Sequence, residues 1–583
     1  MASEHKLSYY LNEAKMLDSK LHEKKIRIAF LSSFTINGLE ETVRVKCHEI
    51  DVGCQTYVAG YNQYNQEILN ENSGLYSFKP EITFLMLDSR EILSDLFYFP
   101  YSISTLERQE FIKKKLSDLS ELIVTFNKNA KSKLILTNFV IPTYSPYGIY
   151  ENKIEYGLKE MIKDLNAKLE MLTQNLESIY CFDMNGFVTR FGEHNVFNFR
   201  EFFFGDVKVS IAYIPYLAYD FMGYVKPMIG LTKKCIVLDL DNTLWGGIVG
   251  EDEFEGIKIG QNAAGKPYTE FQQLLLSLNQ RGVILAINSS NNFDDAMKVI
   301  NEHPNMILKE ENFACLKINW NNKVTNMEEI AAELNIGLDS MVFIDDDPVN
   351  REMVSKNLPG VLVIDLPKDP SQYTQTLMAL NDFNLLKITQ DDINRGKMYL
   401  QERKRKDLQG SATNLEEFLK QLNIKIKIKN ADTFTIPRIS QLTLKTNQFN
   451  LTTKRYQEEE IKQIAEDDNW FVGCAQVEDK FGDNGITGVF IVKKENKNWF
   501  LDTFLLSCRV MGRGIEEGIL SYILQKAKEE DASTLKGKFI PTKKNKPSEN
   551  FLKNYGFKKE EDYWIFSLTN PIRIPSHLTI RTE

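Results

Sequence analysis

The sequence predicts a multidomain α/β protein, and three observations carry that expectation. Short apolar runs alternate with amphipathic helical stretches through much of the chain, the pattern of parallel sheets with crossover helices. One such run, CIVLDL (235–240), ends in Asp-x-Asp-x-Thr. Open α/β sheets hold their ligands beyond the carboxyl ends of strands. The last part reads as longer strands around a loop, Arg509-Val-Met-Gly512-Arg513-Gly514, that opens a helix. The 583 residues, at roughly 100–200 per domain, allow about three to five domains.

In the N-terminal part, IRIAFL (26–31), EITFLML (81–87) and KLILTNF (133–139) are short apolar runs bounded by polar residues, and read as buried strands. Stretches 105–126 and 156–176 between and after them carry helical patterns. Residues 215–233 read as a helix with a Pro/Gly connector. The middle part then gives strands at 235–240, 283–288, 306–309, 341–345 and 361–364. Gly282 and Gly337 stand where helices should stop, and Thr325 or Asn326 is the expected cap of another. Residues 376–408 read as helical and QGSATN (409–414) as a hinge. Beyond it come strands near 424–429, 471–477, 486–493 and 498–506, with helices near 437–446 and 515–529. The expected domains are 1–228, 229–410 and 411–583.

The charge balance narrows the partners. A net charge of −9 argues against a dedicated nucleic-acid binder, whose affinity comes largely from phosphate neutralisation. The seven cysteines are scattered, with no CxxC pair and no zinc-type spacing, which suggests a reducing compartment. The N-terminus has no apolar signal-peptide core, and no apolar run reaches about 18 residues. The expectation is a soluble cytoplasmic protein with neither a nucleic-acid nor a membrane partner.

The chemistry concentrates in the middle part. Asp239, at a strand end, suits a nucleophile on phosphorus. Asp241, two residues on, suits the acid/base that protonates the leaving group and later activates water. Ser289 follows the strand VILAIN, where its hydroxyl can hold a phosphoryl oxygen. Lys323 precedes the helix TNMEEIAAEL and can neutralise the transferring group. Asp345 and Asp346 follow the strand MVFI. A carboxylate approaching an anionic phosphate needs a cation. Asp239, Asp241, Asp345 and Asp346 are the candidate ligands for a hard, oxygen-preferring ion, Mg²⁺. The short stretch GGIVGEDEFEGIKIGQ after Asp241 is enough for a flap but not a lid domain, leaving the site open to a bulky or protein-tethered substrate.

In the last part, Gly512 and Gly514 permit close backbone approach at a helix start, which suits a phosphate or pyrophosphate, and Arg509 and Arg513 add charge. Lys445, Asn447, Gln448 and Asn450 form a polar cluster that is either a loop capping the sheet or a substrate-recognition segment. In the first part, FLSSFTING (30–38) offers Ser32 or Ser33 as a nucleophile, but no Asp-x-x-His follows and His194 stands alone. A docking or structural role without catalysis fits it better.

These motifs bring resemblances. The ordered set Asp239-x-Asp241, Ser289, Lys323 and Asp345-Asp346 resembles the haloacid dehalogenase-like (HAD) phosphatase superfamily, implying a central Rossmann-like parallel sheet. The Arg509–Gly514 loop, with Tyr555-Gly556-Phe557 downstream, resembles the GNAT acyltransferase fold, an α+β domain whose glycine loop holds a pantetheine-linked pyrophosphate. The N-terminal part resembles a degenerate SGNH-hydrolase-like α/β domain. Taken together, KCIVLDLDNTLWGGIVGEDEFEGIKIG, KINWNNK, VFIDDDPVNREMV, KTNQFNLTT and DTFLLSCRVMGRG are similar to the FkbH family over about residues 220 to 560, and more weakly before that.

That family resemblance implies a glyceryl transferase/phosphatase of polyketide extender-unit pathways. It would take the glyceryl unit of 1,3-bisphosphoglycerate, remove phosphate and load an acyl carrier protein through its phosphopantetheine thiol. The sequence departs from the family at one place. Many relatives have Cys-Ser-Lys-Asn where this chain has Asn288-Ser289-Ser290-Asn291, so an enzyme-bound thioester there is excluded. Cys508, beside the Arg509 loop, is then the best remaining thiol. Cys235 lies about 13 Å back along its strand from Asp239, at ~3.3 Å per residue, and is expected to be buried. Two other readings stay open: a CoA-dependent N- or O-acyltransferase fused to a phosphatase domain, and a carrier-protein scaffold with a dead metal site. The intact carboxylate set argues against the scaffold.

Overall fold

The computed structural model describes residues 5–17, 22–394, 398, 399, 401, 405, 408 and 414–582. The chain divides into two compact units, Met1–Val225 and Lys226–Glu583. Among the described residues no helix is long and apolar enough to cross a membrane.

The first unit is built on a parallel sheet of β1 (Lys24–Ser32), β2 (Val52–Val58), β3 (Ile82–Met86), β4 (Lys133–Thr137) and β5 (Ile179–Phe182), in the order β2-β1-β3-β4-β5. Every residue of β3 and β4 is buried, as expected for strands covered on both faces. The helix Thr105–Asn129 starts at a capping box in which Ser104 and Glu107 satisfy each other's backbone N–H groups. Phe30, Phe84 and Phe221 stack in succession across this core.

The second unit contains two sheets. One is parallel, made of β6 (Cys235–Leu238), β7 (Ile284–Ser289), β8 (Phe313–Ile318), β9 (Met341–Ile344) and β10 (Leu362–Val363), in the order β10-β9-β6-β7-β8. Its central strand β6 carries Asp239 just beyond its end, where the Asp239 N–H still donates to the Ile344 carbonyl at 2.9 Å. The strand expected at 306–309 is not there. Met306 and Leu308 are buried, but the N–H groups of Ile307 and Leu308 donate to the Gln272 side chain instead of a ladder. The strand lies at Phe313–Ile318, whose mixed composition hid it.

The cap expected at Thr325 or Asn326 is Asn322. Its side chain accepts the Thr325 N–H at 2.8 Å, so the helix Lys323–Leu334 begins one turn earlier. The continuous helix expected over 376–408 also fails. The helix Tyr373–Met378 ends, and the chain stays irregular until Gln390–Ile393. Lys226 draws it off course by donating to the side chains of Asn381 and Asp382. Most of the remainder, and the hinge expected at 409–414 apart from Asn414, lies outside the described residues.

The other sheet is mixed and has nine strands. Its middle is an antiparallel meander of β13 (Trp470–Asp479), β14 (Gly482–Glu495) and β15 (Asn498–Leu506). β11 (Ile424–Asn430) and β19 (Leu578–Thr582) extend one side, and β16 (Thr534–Gly537), β18 (Tyr563–Ser567) and β17 (Lys558–Glu560) the other. β12 (Phe449–Asn450) pairs with β15. The helix Ile515–Glu529 packs its buried apolar residues on this sheet.

Candidate active site

Four loops at the carboxyl end of the parallel β6-centred sheet bring the expected residues together. Asp239 follows β6, Ser289 ends β7, Lys323 opens the helix after β8, and Asp345 follows β9. The Lys323 ammonium lies 2.5 Å from Asp239 Oδ1 and 3.1 Å from Asp345 Oδ2, and donates to the Asn288 carbonyl at 2.7 Å. Ser289 favours the ionised form of Asp239, and its Oγ accepts from Asn291 at 3.3 Å. Asp345 is fully buried, with its Oδ1 accepting the Asp347 N–H at 2.9 Å.

Electrostatics follow from this burial. Desolvation pushes the Asp239 carboxyl up to about 7, Lys323 pulls against it, and the Asp345 charge adds to the rise. Burial works against the Lys323 ammonium, but the Asp239 and Asp345 carboxylates outweigh it and hold it above the usual lysine range. Burial and the Asp345 charge raise Asp346 to about 6. Asp239, Asp345 and Asp346 have ligand oxygens within 4.8 Å of one another. Three carboxylates against one ammonium leave an excess of negative charge that a divalent, oxygen-preferring cation fits.

Asp241 departs from its expected place among the metal ligands. Its carboxylate is not among the three grouped carboxylates, and its oxygens bond other partners. Oδ1 accepts from the Trp245 indole N–H at 2.8 Å and from the Val249 N–H at 3.1 Å, and Oδ2 accepts from Asn291 at 2.8 Å. These bonds fix the orientation of the Asp241 carboxylate. The flap after it carries the helix Val249–Gly256, kinked at Glu253.

The sequence reading missed the residues that orient the site. Asn288 donates to the Lys323 carbonyl at 2.9 Å and accepts from Asn326 at 3.0 Å, tying β7 to the lysine-bearing helix. Trp245 and Asn291 fix Asp241, and Arg351 donates to the carbonyls of Asp345 and Asp346. The two asparagines that flank Ser289-Ser290 were the available signal.

The thiol expected at Cys508 is not brought to this site. Its carbonyl accepts from Asn335 Nδ2 at 2.5 Å, and Asn335 caps the far end of the helix that starts at Lys323. A helix of 12 residues separates its ends by about 18 Å. Cys235 is buried, and desolvation with the nearby Cys315 drives its thiol far above the usual range.

In the mixed sheet, Gly512 and Gly514 adopt left-handed φ values of 75° and 74°, and Gly514 precedes the helix Ile515–Glu529. The loop is therefore shaped as expected, but its charges are not. Arg513 is buried, with Nη1 3.7 Å from Asp479 and Nη2 donating to the Arg509 carbonyl, so it faces inward. The Arg509 guanidinium lies against Met398 and Ser507. Glu516 and Glu517 occupy the first helical turn, where they compete with any bound anion.

The cluster at 445–450 is a structural loop at two of its positions. Asn450 accepts the N–H groups of Thr452 and Thr453, and Asn447 accepts from Arg455. In the first unit, Ser32 Oγ accepts the Phe34 N–H and Ser33 Oγ the Asp88 N–H, while His194 is exposed on another element.

Comparisons with known proteins bear on this site. Residues 27–226 match the family model described as FkbH, N-terminal domain. No curated protein matches the chain. The N-terminal part of the protein BF1531 from Bacteroides fragilis contains a phosphatase domain and was crystallised with Mg. It is 27% identical, and the match covers 66% of this chain and 100% of that one at a TM-score of 0.61. A GNAT-family acetyltransferase from Staphylococcus aureus is 13% identical over 24% of this chain and 99% of its own, at a TM-score of 0.20. The carboxylate-and-lysine site on a parallel sheet, with the phosphatase-domain neighbour, defines a mixed α/β protein of the HAD phosphatase type. Within that class, the chain is similar to FkbH proteins through its residues 27–226.

Proposed function

We propose that the chain is a Mg²⁺-dependent glyceryl transferase/phosphatase. It dephosphorylates the glyceryl unit of 1,3-bisphosphoglycerate and passes the acyl group to the phosphopantetheine thiol of an acyl carrier protein, as in polyketide extender-unit formation. The observation that carries this reading is the Asp239–Lys323–Asp345 cluster at the end of the central strand.

Asp239 attacks phosphorus and forms an aspartyl-phosphate. Asp241, held by Trp245 and Asn291, gives its proton to the leaving oxygen and then takes one from the water that hydrolyses the intermediate. Ser289 and Lys323 hold the phosphoryl oxygens. Asp239, Asp345 and Asp346 would hold the divalent cation, which supplies charge neutralisation as carboxylate and phosphate approach. With Asn288 where a cysteine would stand and Cys508 at the distant helix end, the carrier's thiol attacks the C1 carbonyl directly and expels the C1 phosphate, while Asp239 takes the C3 phosphoryl group.

The test is incubation with 1,3-bisphosphoglycerate, Mg²⁺ and carrier protein, followed by intact-protein mass analysis. A glyceryl mass gain on the pantetheine arm is expected, and its absence would sink the proposal. The left-handed glycines at 512 and 514 favour a second reading, a CoA-dependent acyltransferase. Acetyl-CoA turnover lost in Gly512→Glu but kept in Asp239→Asn would establish that reading instead.

A further inference from the structure

The first unit holds a pocket that the phosphoryl-transfer reading leaves unused. In its sheet, β1 lies between β2 and β3, so the chain runs one way from β1 to β2 and the other way from β3 onward. The crevice beyond the carboxyl ends of β1 and β3 is the switch point at which such sheets take ligands. Ser33 follows β1 and Asp88 follows β3, and the Asp88 N–H donates to Ser33 Oγ at 2.9 Å.

The pocket beside them is walled by Phe97, Phe197, Phe199 and Phe202, with Arg90 and Lys208 as its cations. Lys208 is neutralised by Asp88 at 2.8 Å, both side chains being almost buried. Glu193, the other acid in the wall, accepts the Thr143 N–H at 2.8 Å. Arg90 is different. Its guanidinium carbon lies 5.3, 5.1 and 4.7 Å from the ring centroids of Phe97, Phe199 and Phe202, and it makes no ion pair among the described residues. Three rings hold it in place with its N–H fork uncommitted.

We propose that this pocket binds a small carboxylate with a short apolar body. The Arg90 fork pairs with the carboxylate, and the phenylalanines enclose the carbon chain. The wall holds two cations and two acids, so the free Arg90 fork is matched to a single carboxylate and the Glu193 charge disfavours a phosphate dianion. Ser32 and Ser33 accept backbone N–H groups, and no histidine bonds them among the described residues, so the pocket binds without hydrolysing. The proposal stands independently of the phosphoryl-transfer site.

The test uses butyrate on the full chain, freed of metal with EDTA, read by saturation-transfer NMR and calorimetry. Saturable binding is expected, with strong transfer to the methyl group. Arg90→Gln should weaken it by about tenfold or more, and Arg90→Lys, which keeps the charge but loses the fork, should fall between. Circular dichroism confirms that each variant is folded. Asp239→Asn should bind butyrate as the wild type does, which separates this pocket from the other site. The proposal is overturned by absent saturation, by equal affinity in wild type and Arg90→Gln, by loss of binding in Asp239→Asn, or by displacement of butyrate by inorganic phosphate.

Discussion

At the residue scale, the candidate site depends on side chains outside its carboxylate–lysine cluster. Asn288 is completely buried and joins the Lys323 carbonyl to Asn326. Asn288→Ala strands those partners and should cost about 1–3 kcal/mol in urea unfolding. It should also lower phosphatase activity, because Lys323 loses its anchor. Asp241→Asn retains the shape but cannot deliver a proton, so steady-state phosphate release should fall by about 10²–10⁴-fold. The gathering of Asp239, Ser289, Lys323 and Asp345 was legible in the sequence because each of them ends a strand or starts a helix in a fixed order. The orienting partners were not, since Trp245 and Asn291 reach Asp241 through a turn and a second strand's loop. Arg513 misled for a related reason: a basic residue beside a glycine loop gives no sign that Asp479 lies buried behind it.

At the scale of elements, strands and helices with clear periodicity lie where the pattern puts them, and the failures have local causes. Met306 and Leu308 look like a strand but are buried on irregular backbone that Gln272 satisfies. Gln272 is itself fully buried and also donates to the Leu244 carbonyl at 2.8 Å. Gln272→Leu leaves three backbone groups unpaired, and thermal unfolding should show a loss of about 1–3 kcal/mol per stranded group, reduced where water enters. Gly282 has φ of 100°, and an added Cβ would lie 1.8 Å from the Asp392 carbonyl oxygen. Gly282→Ala therefore needs backbone movement as well as a strained φ, and should destabilise by more than the ~1 kcal/mol of an ordinary glycine replacement. The expected role of Gly282 as a helix stop was legible, but not the backbone packed against it.

At the scale of the whole molecule, the parallel and mixed sheets lie in one compact unit from Lys226 onward. Named contacts join them: Asn335 with the Cys508 carbonyl, and Lys544 with Asp339. Inside the mixed-sheet part, Arg405 and Asp479 form a bidentate pair with both side chains about 1% exposed, and Arg513 lies behind it. Asp479→Ala leaves buried guanidinium charge without a counterion. It should cost about 3–5 kcal/mol by urea unfolding and loosen the Arg509–Gly514 loop to proteolysis. Spacing within a motif cannot show such a pair, because 74 residues separate its members.

The central claim is that Asp239 carries the phosphoryl group. It is tested most directly by acid-quenching the enzyme during turnover of a phosphate substrate with Mg²⁺ and mapping the peptide that gains one phosphoryl mass. The account predicts that the label falls on Asp239, accumulates in Asp241→Asn and vanishes in Asp239→Asn. Undiminished phosphate release by Asp239→Asn, or a label on any other residue, would contradict it.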